Sequence, residues 1–291
     1  MEVANSNLFL NIKGMRFFSK LYNLEIVHSA LEYIPHDNDI FIATIPKSGT
    51  TWMQTIVYAL LMNGRAFDDD INDYKASNPF LEMDGQQAIE SMQRPGAIKT
   101  HLVFNYLPYN SNAKYITVIR NPKDVCVSFH RFITSIGRGA QNDIAFDTFF
   151  NDFLAGKTGH VDYFEHLISC WAHRNDDNVL LILYEDMQKD IRSVIKRVAN
   201  FLNIEISEEL LERIVIVSSF DYLNKARYNE KIDSKDNVAT FKFLRKGITG
   251  DWRTVLSDEQ NRRLETCFRE KTKHIHELNI LWDQYDVFNK E

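Results

Sequence analysis

A candidate general base, His101, closely follows a short strand predicted over Ala97–Lys99. Neutral histidine has a pKa of about 6.5, so it can accept a proton from a hydroxyl group near neutral pH. A lone histidine in a sequence is more often structural than catalytic, and this segment alone leaves both roles open. If His101 is a base, its chemistry is the activation of a hydroxyl nucleophile.

The stretch PKSGTTW, residues 46–52, has the features of a phosphate-binding loop. It follows an apolar strand pattern and opens a helix, whose unpaired backbone N–H groups attract anions. Gly49 lets the backbone approach a ligand closely, and Lys47 adds a full positive charge. Thr50 and Thr51 add hydroxyl donors. The Walker pattern GxxxxGK[ST] is absent, and a plain strand–turn–helix connection with exposed polar residues remains an alternative.

A second candidate anion site is Arg120, which follows the strand predicted over Lys114–Ile119. Open α/β sheets bind ligands at the carboxyl ends of their strands. Pro122 suits the first position of a helix, and Ser128 lies two turns into that helix. The alternative is a surface arginine paired with Asp124.

A third basic segment is RKGITGDW, residues 245–252. Arg245 and Lys246 are adjacent, and Gly247 and Gly250 flank the turn that follows. Such a segment can form a small cationic backbone nest for an anion. Taken alone, it is more often a solvated basic turn.

The elements that carry these residues alternate between strand and helix patterns. This alternation predicts an α/β fold in a single domain, residues 1–291, with a central parallel sheet flanked by helices. The predicted strands are apolar runs, typical of parallel strands covered on both faces: Ile40–Ile45, Ala97–Lys99, Lys114–Ile119 and Val179–Tyr184. The predicted helices are Thr50–Met62, Pro122–Ile133, Tyr163–His173 and Met187–Leu202, and a capping-box pattern at Ser257–Gln260 opens another. Residues 225–241 are polar and aperiodic, which predicts a mobile loop.

Composition limits the classes of protein that fit this chain. Of its 291 residues, 44% are hydrophobic and 25% are charged, as in an ordinary soluble globular protein. The net charge of −6 argues against a nucleic-acid-binding surface, so any anion site is a local basic pocket. The three cysteines are widely spaced, which predicts free thiols. With no signal-peptide pattern and no apolar run near the ~18–20 residues that span a membrane, we expect a cytoplasmic protein.

The three anion-site motifs, in this order, resemble those of the cytosolic sulfotransferase family. PKSGTTW resembles the family's 5′-phosphosulfate loop, and the strand and helix around Arg120 resemble its 3′-phosphate site. RKGITGDW resembles the family signature RKGxxGDW. The resemblance implies a P-loop-like strand–loop–helix and an enzyme that transfers a sulfuryl group from PAPS (3′-phosphoadenosine 5′-phosphosulfate, leaving PAP) to the hydroxyl of a small molecule.

The resemblance also assigns roles to individual residues. In KTHL, residues 99–102, His101 would deprotonate the acceptor hydroxyl and Lys99 would help to position the reacting groups. Lys47 would stabilise the bridging oxygen as it leaves. The expected nucleotide-binding residues are Lys47, Ser48, Gly49, Thr50, Thr51, Trp52, Arg120, Ser128, Tyr184, Ser218, Phe220, Phe243, Arg245, Lys246 and Gly247.

The acceptor site is expected near PFLE, residues 79–82, which resembles a segment bordering that site in the family. The expected acceptor-binding residues are Phe80, Phe129, Phe132, Lys99 and His101. An apolar pocket with few polar groups suits aromatic or steroid alcohols. A phenol has a pKa of about 10, like tyrosine, and needs only modest help from a base. We therefore expect a phenol or catecholamine-like acceptor, with steroid and other alcohols as alternatives.

Two other functions remain as alternatives. A small-molecule kinase would use ATP, which has no 3′-phosphate for Arg120 and Arg245 to bind. A non-catalytic protein that binds PAPS or another ligand fits less well with the combination of Lys47, Lys99 and His101. The sequence offers no carboxylate cluster with the spacing of a Mg²⁺ site, so we expect no metal.

One segment departs from the family pattern. Many members carry a dimerisation motif, KxxxTVxxxE, after GDW. Here Ser257 and Asp258 replace the Thr-Val pair, and Arg262 replaces the glutamate. The family's dimer contact is therefore in doubt, and both a monomer and a dimer stay open.

Overall fold

A four-stranded parallel sheet lies at the centre of the fold. The computed structural model describes residues 9–19, 21–136, 144–159, 162–226, 228 and 246–288. The strands are β1 (Phe9–Ile12), β2 (Met15–Phe18), β3 (Ile40–Ala43), β4 (Ile98–Thr100), β5 (Lys114–Ile119) and β6 (Val179–Leu183). The central sheet has the order β4–β3–β5–β6 with every pair parallel, and β1 and β2 form a separate antiparallel hairpin. The predicted α/β fold, a single domain with a central parallel sheet, is confirmed.

Helices cover both faces of this sheet. They are α1 (Leu24–Leu31), α2 (Thr50–Leu61), α3 (Ile71–Ala76), α4 (Leu81–Glu90), α5 (Pro122–Ile136), α6 (Phe146–Leu154), α7 (Tyr163–Ala172), α8 (Tyr184–Lys189), α9 (Ile191–Phe201), α10 (Glu208–Val217), α11 (Phe220–Lys225), α12 (Asp258–Thr272) and α13 (His276–Ile280). Two short 3₁₀ helices lie at Asp251–Thr254 and Asp283–Tyr285.

Apolar packing on both faces explains why the strands are continuous apolar runs. Phe41 and Tyr115 stack with their ring centroids 4.9 Å apart in the core of one face. Ile42 and Ile116, their neighbours in sequence, belong to the core of the other face. Successive residues of a strand point to opposite faces, so a sheet covered on both sides needs apolar residues at every position. The four predicted strands are confirmed with ends displaced by at most two residues.

The helix predictions hold in three cases and fail in one. The predictions for α2, α5 and α7 are confirmed within three residues at each end. The prediction of one helix over Met187–Leu202 is wrong, because Asp190 leaves the helical conformation (φ −150°, ψ 80°) and its carboxylate caps α9 by accepting from the Ser193 N–H. Tyr184, predicted as the last residue of a strand, begins α8. The predicted capping box at Ser257–Gln260 is confirmed and opens α12.

Three further predictions from the sequence concern a loop, the cysteines and membranes. The predicted loop over residues 225–241 lies outside the described residues except for Lys225, which ends α11, Ala226 and the buried Tyr228. All three cysteines are free thiols, as predicted. Among the described helices, none has the length and apolar character needed to cross a membrane.

A buried carboxylate joins the end of β5 to the C-terminal segment. Glu185, at the start of α8, accepts hydrogen bonds from the backbone N–H and the side-chain Nδ2 of Asn121, at 3.1 and 2.7 Å. It also accepts from Nε1 of the fully buried Trp282, at 2.9 Å. Burial raises the pKa of the Glu185 carboxyl, and these donors oppose that shift. The network fixes the turn that immediately follows Arg120.

We expect Glu185→Ala to lower the free energy of unfolding by about 2–4 kcal/mol, because buried donors on Asn121 and Trp282 would lose their acceptor. Urea unfolding with linear extrapolation measures this change. The matched control is Glu205→Ala at an exposed position, for which we expect a change within about 0.5 kcal/mol. Equal unfolding free energies for the two variants would contradict the structural role of Glu185.

Candidate active site

The carboxyl ends of β3, β4 and β5 bring three predicted site segments to one edge of the sheet. The chain continues from β3 into the loop with PKSGTTW, from β4 into His101 and from β5 into Arg120. β3 lies between β4 and β5, so the chain adds β4 on one side of β3 and then crosses back to add β5 on the other. Such a reversal opens a crevice at the carboxyl ends of the strands. Thr44 and Thr100 tie the first two segments together through the Thr44 N–H, which donates to the Thr100 carbonyl at 3.1 Å.

The loop after β3 is shaped to accept an anion. Gly49 is the N-cap of the 12-residue helix α2 and has a φ of 102°, in the left-handed region that favours glycine. Ser48 is fully buried, and its hydroxyl has no hydrogen-bond partner among the described residues. The Thr50 hydroxyl bonds with that of Thr44. A buried hydroxyl without a partner at a helix N-terminus fits a bound phosphate-like group.

Lys47 reaches away from this loop toward helix α5. Its Nζ lies 4.6 Å from the centroid of the Phe132 ring, a cation–π distance. The structure therefore brings together a predicted catalytic residue and a predicted acceptor-site aromatic. Thr51 and Trp52 are half-buried in the first turn of α2, and the Trp52 ring meets Tyr184 edge-on at 5.9 Å.

Arg120 links the two predicted phosphate segments. Its Nη1 donates to the Lys47 carbonyl at 3.1 Å, and its Nη2 donates to the Ile248 carbonyl at 2.9 Å. The guanidinium lies 4.1 Å from the centroid of the Tyr184 ring. Its Nε is buried and has no hydrogen-bond partner among the described residues. This buried donor is available to an anion at the point where the loops meet.

The alternative pairing of Arg120 with Asp124 is present but is not the main contact of either residue. The two groups are 3.7 Å apart. Asp124 accepts from the Gly250 N–H at 2.8 Å, the Trp252 N–H at 3.3 Å and Asn121 Nδ2 at 3.0 Å. Asp124 thus holds the GDW turn against α5.

The described part of the RKGITGDW segment lies beside this cluster. Lys246 donates to Asp251 at 2.7 Å, and Arg131 from α5 donates to the same carboxylate at 2.5 Å. Gly247 packs so closely on Phe220 that a Cβ there would lie 2.7 Å from the ring. The predicted site residues Phe243 and Arg245 lie outside the described residues. Arg131 was not predicted; no motif in the sequence marks it.

The remaining predicted nucleotide residues occupy varied positions. Tyr184 is buried and accepts from Gln188 Nε2 at 3.1 Å through its hydroxyl. Ser218 is fully buried, and its hydroxyl donates to the Ile214 carbonyl within α10 at 2.7 Å. Ser128 is half-buried, two turns into α5. The hydroxyl proton of Ser218 is therefore used by its own helix.

His101 is held at two points. Its backbone N–H donates to Glu82 Oε1 at 2.6 Å, and its ring Nδ1 lies 2.6 Å from the Thr44 carbonyl. A carbonyl can only accept, so Nδ1 carries a proton and Nε2 is the basic nitrogen of the neutral ring. The ring is only 8% exposed and meets Phe80 edge-on at 5.0 Å. This tautomer suits a general base whose acceptor atom is Nε2.

Two ionisable side chains lie near His101, the fully buried Glu82 and the half-buried Lys99. Burial lowers the pKa of Lys99 to about 8, and the carboxylates of Glu82 and Asp84 oppose this shift. Burial raises the pKa of Glu82 to about 7, and the His101 N–H opposes this shift. The Lys99 ammonium also lies 4.2 Å from the centroid of the Phe80 ring. His101 and Lys99 thus both contact Phe80, and Glu82 is bound to the backbone of His101.

The aromatic residues predicted for an acceptor pocket divide into two sets. Phe80 contacts Lys99 and His101, and Phe132 contacts Lys47. Phe129 is 6% exposed and packs edge-on against Phe149 at 5.9 Å, so its place in the pocket stays a prediction. Tyr22, which was not predicted, meets Phe80 edge-on at 6.3 Å. It precedes α1 in a segment without a motif, so only the fold reveals it.

No group of His, Cys, Asp and Glu side chains in the described parts of the chain is placed to hold a metal ion.

Comparisons with known proteins agree with this geometry. The family described as the sulfotransferase domain matches residues 37–276. The amine sulfotransferase of Oryctolagus cuniculus is 34% identical over 292 residues, which cover 96% of this chain and 95% of that protein. Sulfotransferase 1E1 of Homo sapiens is 33% identical over 253 residues, covering 81% of this chain and 84% of that protein. The crystal structure of mouse sulfotransferase SULT7A1 complexed with PAP has a TM-score of 0.79 at 25% identity, covering 97% of this chain and 100% of that chain.

We expect Gly49→Ala to destabilise the protein more than Gly14→Ala, although both glycines have positive φ. A Cβ on Gly14, in the β1–β2 turn, would meet no atom within 4 Å, so that variant has only the backbone cost of about 1–2 kcal/mol. A Cβ on Gly49 would lie 2.8 Å from Tyr184, whose ring is confined by Trp52 and Arg120. Urea unfolding measures both losses. Equal losses would show that the loop after β3 can relax away from Tyr184.

Proposed function

The chain belongs to the sulfotransferase family, and from that premise we propose that it transfers a sulfuryl group from PAPS to the hydroxyl of a phenol or a catecholamine-like compound, with His101 as the general base. The observation that carries the proposal is the 2.6 Å hydrogen bond between His101 Nδ1 and the Thr44 carbonyl. It attaches the proposed base, with its tautomer defined, to the start of the loop that would bind the phosphosulfate. A proton acceptor and an anion site therefore share one rigid unit.

The residues around the crevice fit the donor nucleotide. PAPS, when bound, supplies the sulfuryl group, and PAP is the leaving nucleotide. Ser48 Oγ and the backbone N–H groups at the start of α2 would hold the 5′ end, where a helix N-terminus favours negative charge. Arg120 would hold the 3′-phosphate through its buried, unpartnered Nε.

The remaining nucleotide contacts complete this assignment. Lys246 and Gly247, with Phe243 and Arg245 from the residues that the structure does not describe, would close over the 3′-phosphate. Trp52 would stack on the adenine. The buried Nε1 of Trp52 has no hydrogen-bond partner among the described residues, which supports a ligand beside it.

His101, Lys99 and Lys47 divide the chemical work in this proposal. Nε2 of His101 would take the proton of the acceptor hydroxyl, while the bond to Thr44 stabilises the imidazolium that forms. Lys47 would stabilise the charge on the oxygen that leaves, and Lys99 would orient the reacting groups. Positioning and charge stabilisation dominate the related transfer of phosphoryl groups. The same two effects can serve here without a further catalytic group.

The aromatic setting of His101 supports a planar acceptor. The rings of Phe80, Phe132 and Tyr22 lie near the catalytic residues, and Phe80 contacts both His101 and Lys99. Aromatic rings offset or edge-on to a ligand ring favour an aromatic acceptor over an aliphatic one. A phenol, with a pKa of about 10, loses its proton more readily than an aliphatic alcohol. The location of the protein in the cytoplasm and its oligomeric state stay predictions.

A transfer assay tests the function and the acceptor class together. The protein is incubated with PAPS labelled in its sulfate and with phenols, catecholamines, amines, steroids or aliphatic alcohols, with a metal chelator present throughout. We expect transfer in chelator, with the highest kcat/KM for a phenol or catecholamine. Preference for steroid or aliphatic alcohols would overturn the acceptor class. PAP binding without any transfer would favour a non-catalytic carrier, and Mg²⁺-dependent ATP hydrolysis would favour a kinase.

We expect His101→Ala to lower kcat by about 10²–10⁴-fold, because the acceptor would lose its general base. Initial rates at saturating PAPS measure this, and PAP binding by calorimetry shows whether the nucleotide site survives. His28→Ala, at an exposed position on α1, is the matched control and should turn over like the wild type. Near-normal turnover in His101→Ala would eliminate His101 as the base.

A further inference from the structure

Glu82 is a fully buried acid for which the proposed reaction has so far given no role. It lies in the first turn of α4, and none of its side chain is exposed. One carboxyl oxygen, Oε1, accepts the backbone N–H of His101 at 2.6 Å. The other, Oε2, is buried and has no hydrogen-bond partner among the described residues. Burying an ionised acid costs free energy unless its charge is paired with a neighbouring group.

The contact with His101 completes the attachment of the base. The bond from Glu82 holds the backbone of His101, and the bond to Thr44 holds its ring. Neither bond alone fixes the ring, because rotation about the side-chain torsions or a shift of the backbone would move Nε2. The two together join β3, β4 and α4 at the base. Glu82 therefore ties the first turn of α4 to the residue that follows β4.

The second neighbour of Glu82 is Lys99, two residues before His101. Lys99 is half-buried, and its ammonium lies 4.2 Å from the centroid of the Phe80 ring, which shields one side of the charge from water. A desolvated ammonium loses its proton unless negative charge lies nearby. Glu82 is the larger of the two acidic contributions that favour the charged form of Lys99, and Asp84 is the other.

We propose that Glu82 is a positioning residue that holds the His101 backbone in place and supplies a negative charge that favours the ammonium form of Lys99. This inference rests on the proposed function. Glu82 would not touch the acceptor hydroxyl or the sulfuryl group. It would act through His101 and Lys99, which would. Removing its charge should affect turnover through Lys99, while removing its side chain should also release His101.

The surroundings of Glu82 limit the number of groups that could produce the same effect. Lys99 and the backbone of His101 face it from β4, and Tyr22 faces it from the segment before α1. Burial, with Glu82 nearby, holds the pKa of Tyr22 well above 10, so Tyr22 stays neutral in this range. On α1, Glu25 and His28 are exposed to solvent.

The ionisation of Glu82 predicts a characteristic pH dependence. The pKa of this carboxyl is raised to about 7, so it is largely neutral at pH 6 and largely charged at pH 8.5. Glu82→Gln keeps a carbonyl oxygen that can accept from His101 but never carries charge. At pH 6 the variant and the wild type should therefore have similar turnover. Above pH 7 the charged Glu82 of the wild type increases the protonated fraction of Lys99, and the variant loses that support.

The test compares Glu82→Gln, Glu82→Ala and the exposed control Glu90→Gln on the same helix. The kcat of each is measured from pH 6 to 9 together with PAP affinity. We expect Glu82→Gln to equal the wild type at pH 6 and to be about tenfold slower at pH 8.5, which is one pKa unit. Glu82→Ala should have a lower kcat than the wild type at both pH values. PAP affinity should change less than about threefold in each of the three variants. If Glu82→Gln lowered kcat by the same factor at every pH, the role of the Glu82 charge would be overturned.

A second measurement needs no catalysis. Lysines of the apo protein are ¹³C-methylated, the Lys99 signal is identified by its loss in Lys99→Arg, and its titration is followed by NMR. We expect Lys99 to titrate near pH 8 in the wild type and lower in Glu82→Gln. Unchanged titration would refute the inference even if Glu82→Ala failed to fold. Absence of sulfuryl transfer by the wild type would refute the proposed function, while the NMR titration would still decide the role of Glu82.

Discussion

A buried guanidinium group must find hydrogen-bond acceptors inside the protein, and this requirement at Arg120 organises the crevice. Arg120 donates to the carbonyls of Lys47 and Ile248, which belong to segments about two hundred residues apart in sequence. Charge-assisted bonds of this kind are stronger than neutral ones, and leaving such a group unpaired is costly. The loop after β3, the end of β5 and the GDW region therefore hold one relative position. The unpartnered Nε is then available to a ligand.

Desolvation governs the other side of the crevice. Lys99 in β4 and His101 just after it both contact the ring of Phe80, and Glu82 binds the backbone of His101 from α4. Burial lowers the pKa of Lys99 to about 8 and raises that of Glu82 to about 7, so both pKa values lie close to neutral pH. Groups with pKa values near the working pH respond strongly to one another's charge. The apolar packing around Phe80 is thus also the means by which the pKa values of these polar groups are shifted.

The parts predictable from the sequence were those encoded by contiguous residues. The strand–loop–helix at Lys47, the strand end at Arg120 and the capping box at Ser257 each depend on local geometry, and each was found at its predicted place. The break at Asp190 was missed because apolar periodicity continues across it, while the local cap that ends one helix and begins the next does not alter that pattern. The contact of Tyr22 with Phe80 and that of Glu82 with His101 were not predicted, because they depend on packing between the segment before α1, the start of α4 and the end of β4, which no short motif records.

The five residues from Arg120 to Asp124 show how one turn joins the predicted nucleotide site to the C-terminal segment. Glu185 accepts hydrogen bonds from Nδ2 of Asn121 and from Nε1 of Trp282. Lys123 is fully buried, bonds to Glu265 and to the Val287 carbonyl, and lies under the Trp252 ring at 4.2 Å. A buried ammonium with one partner removed is strongly destabilising, so the C-terminal residues are needed to keep this turn in place. The geometry around Arg120 therefore depends on residues that are remote from it in sequence and belong to none of the predicted site motifs: Glu265, Trp282 and Val287.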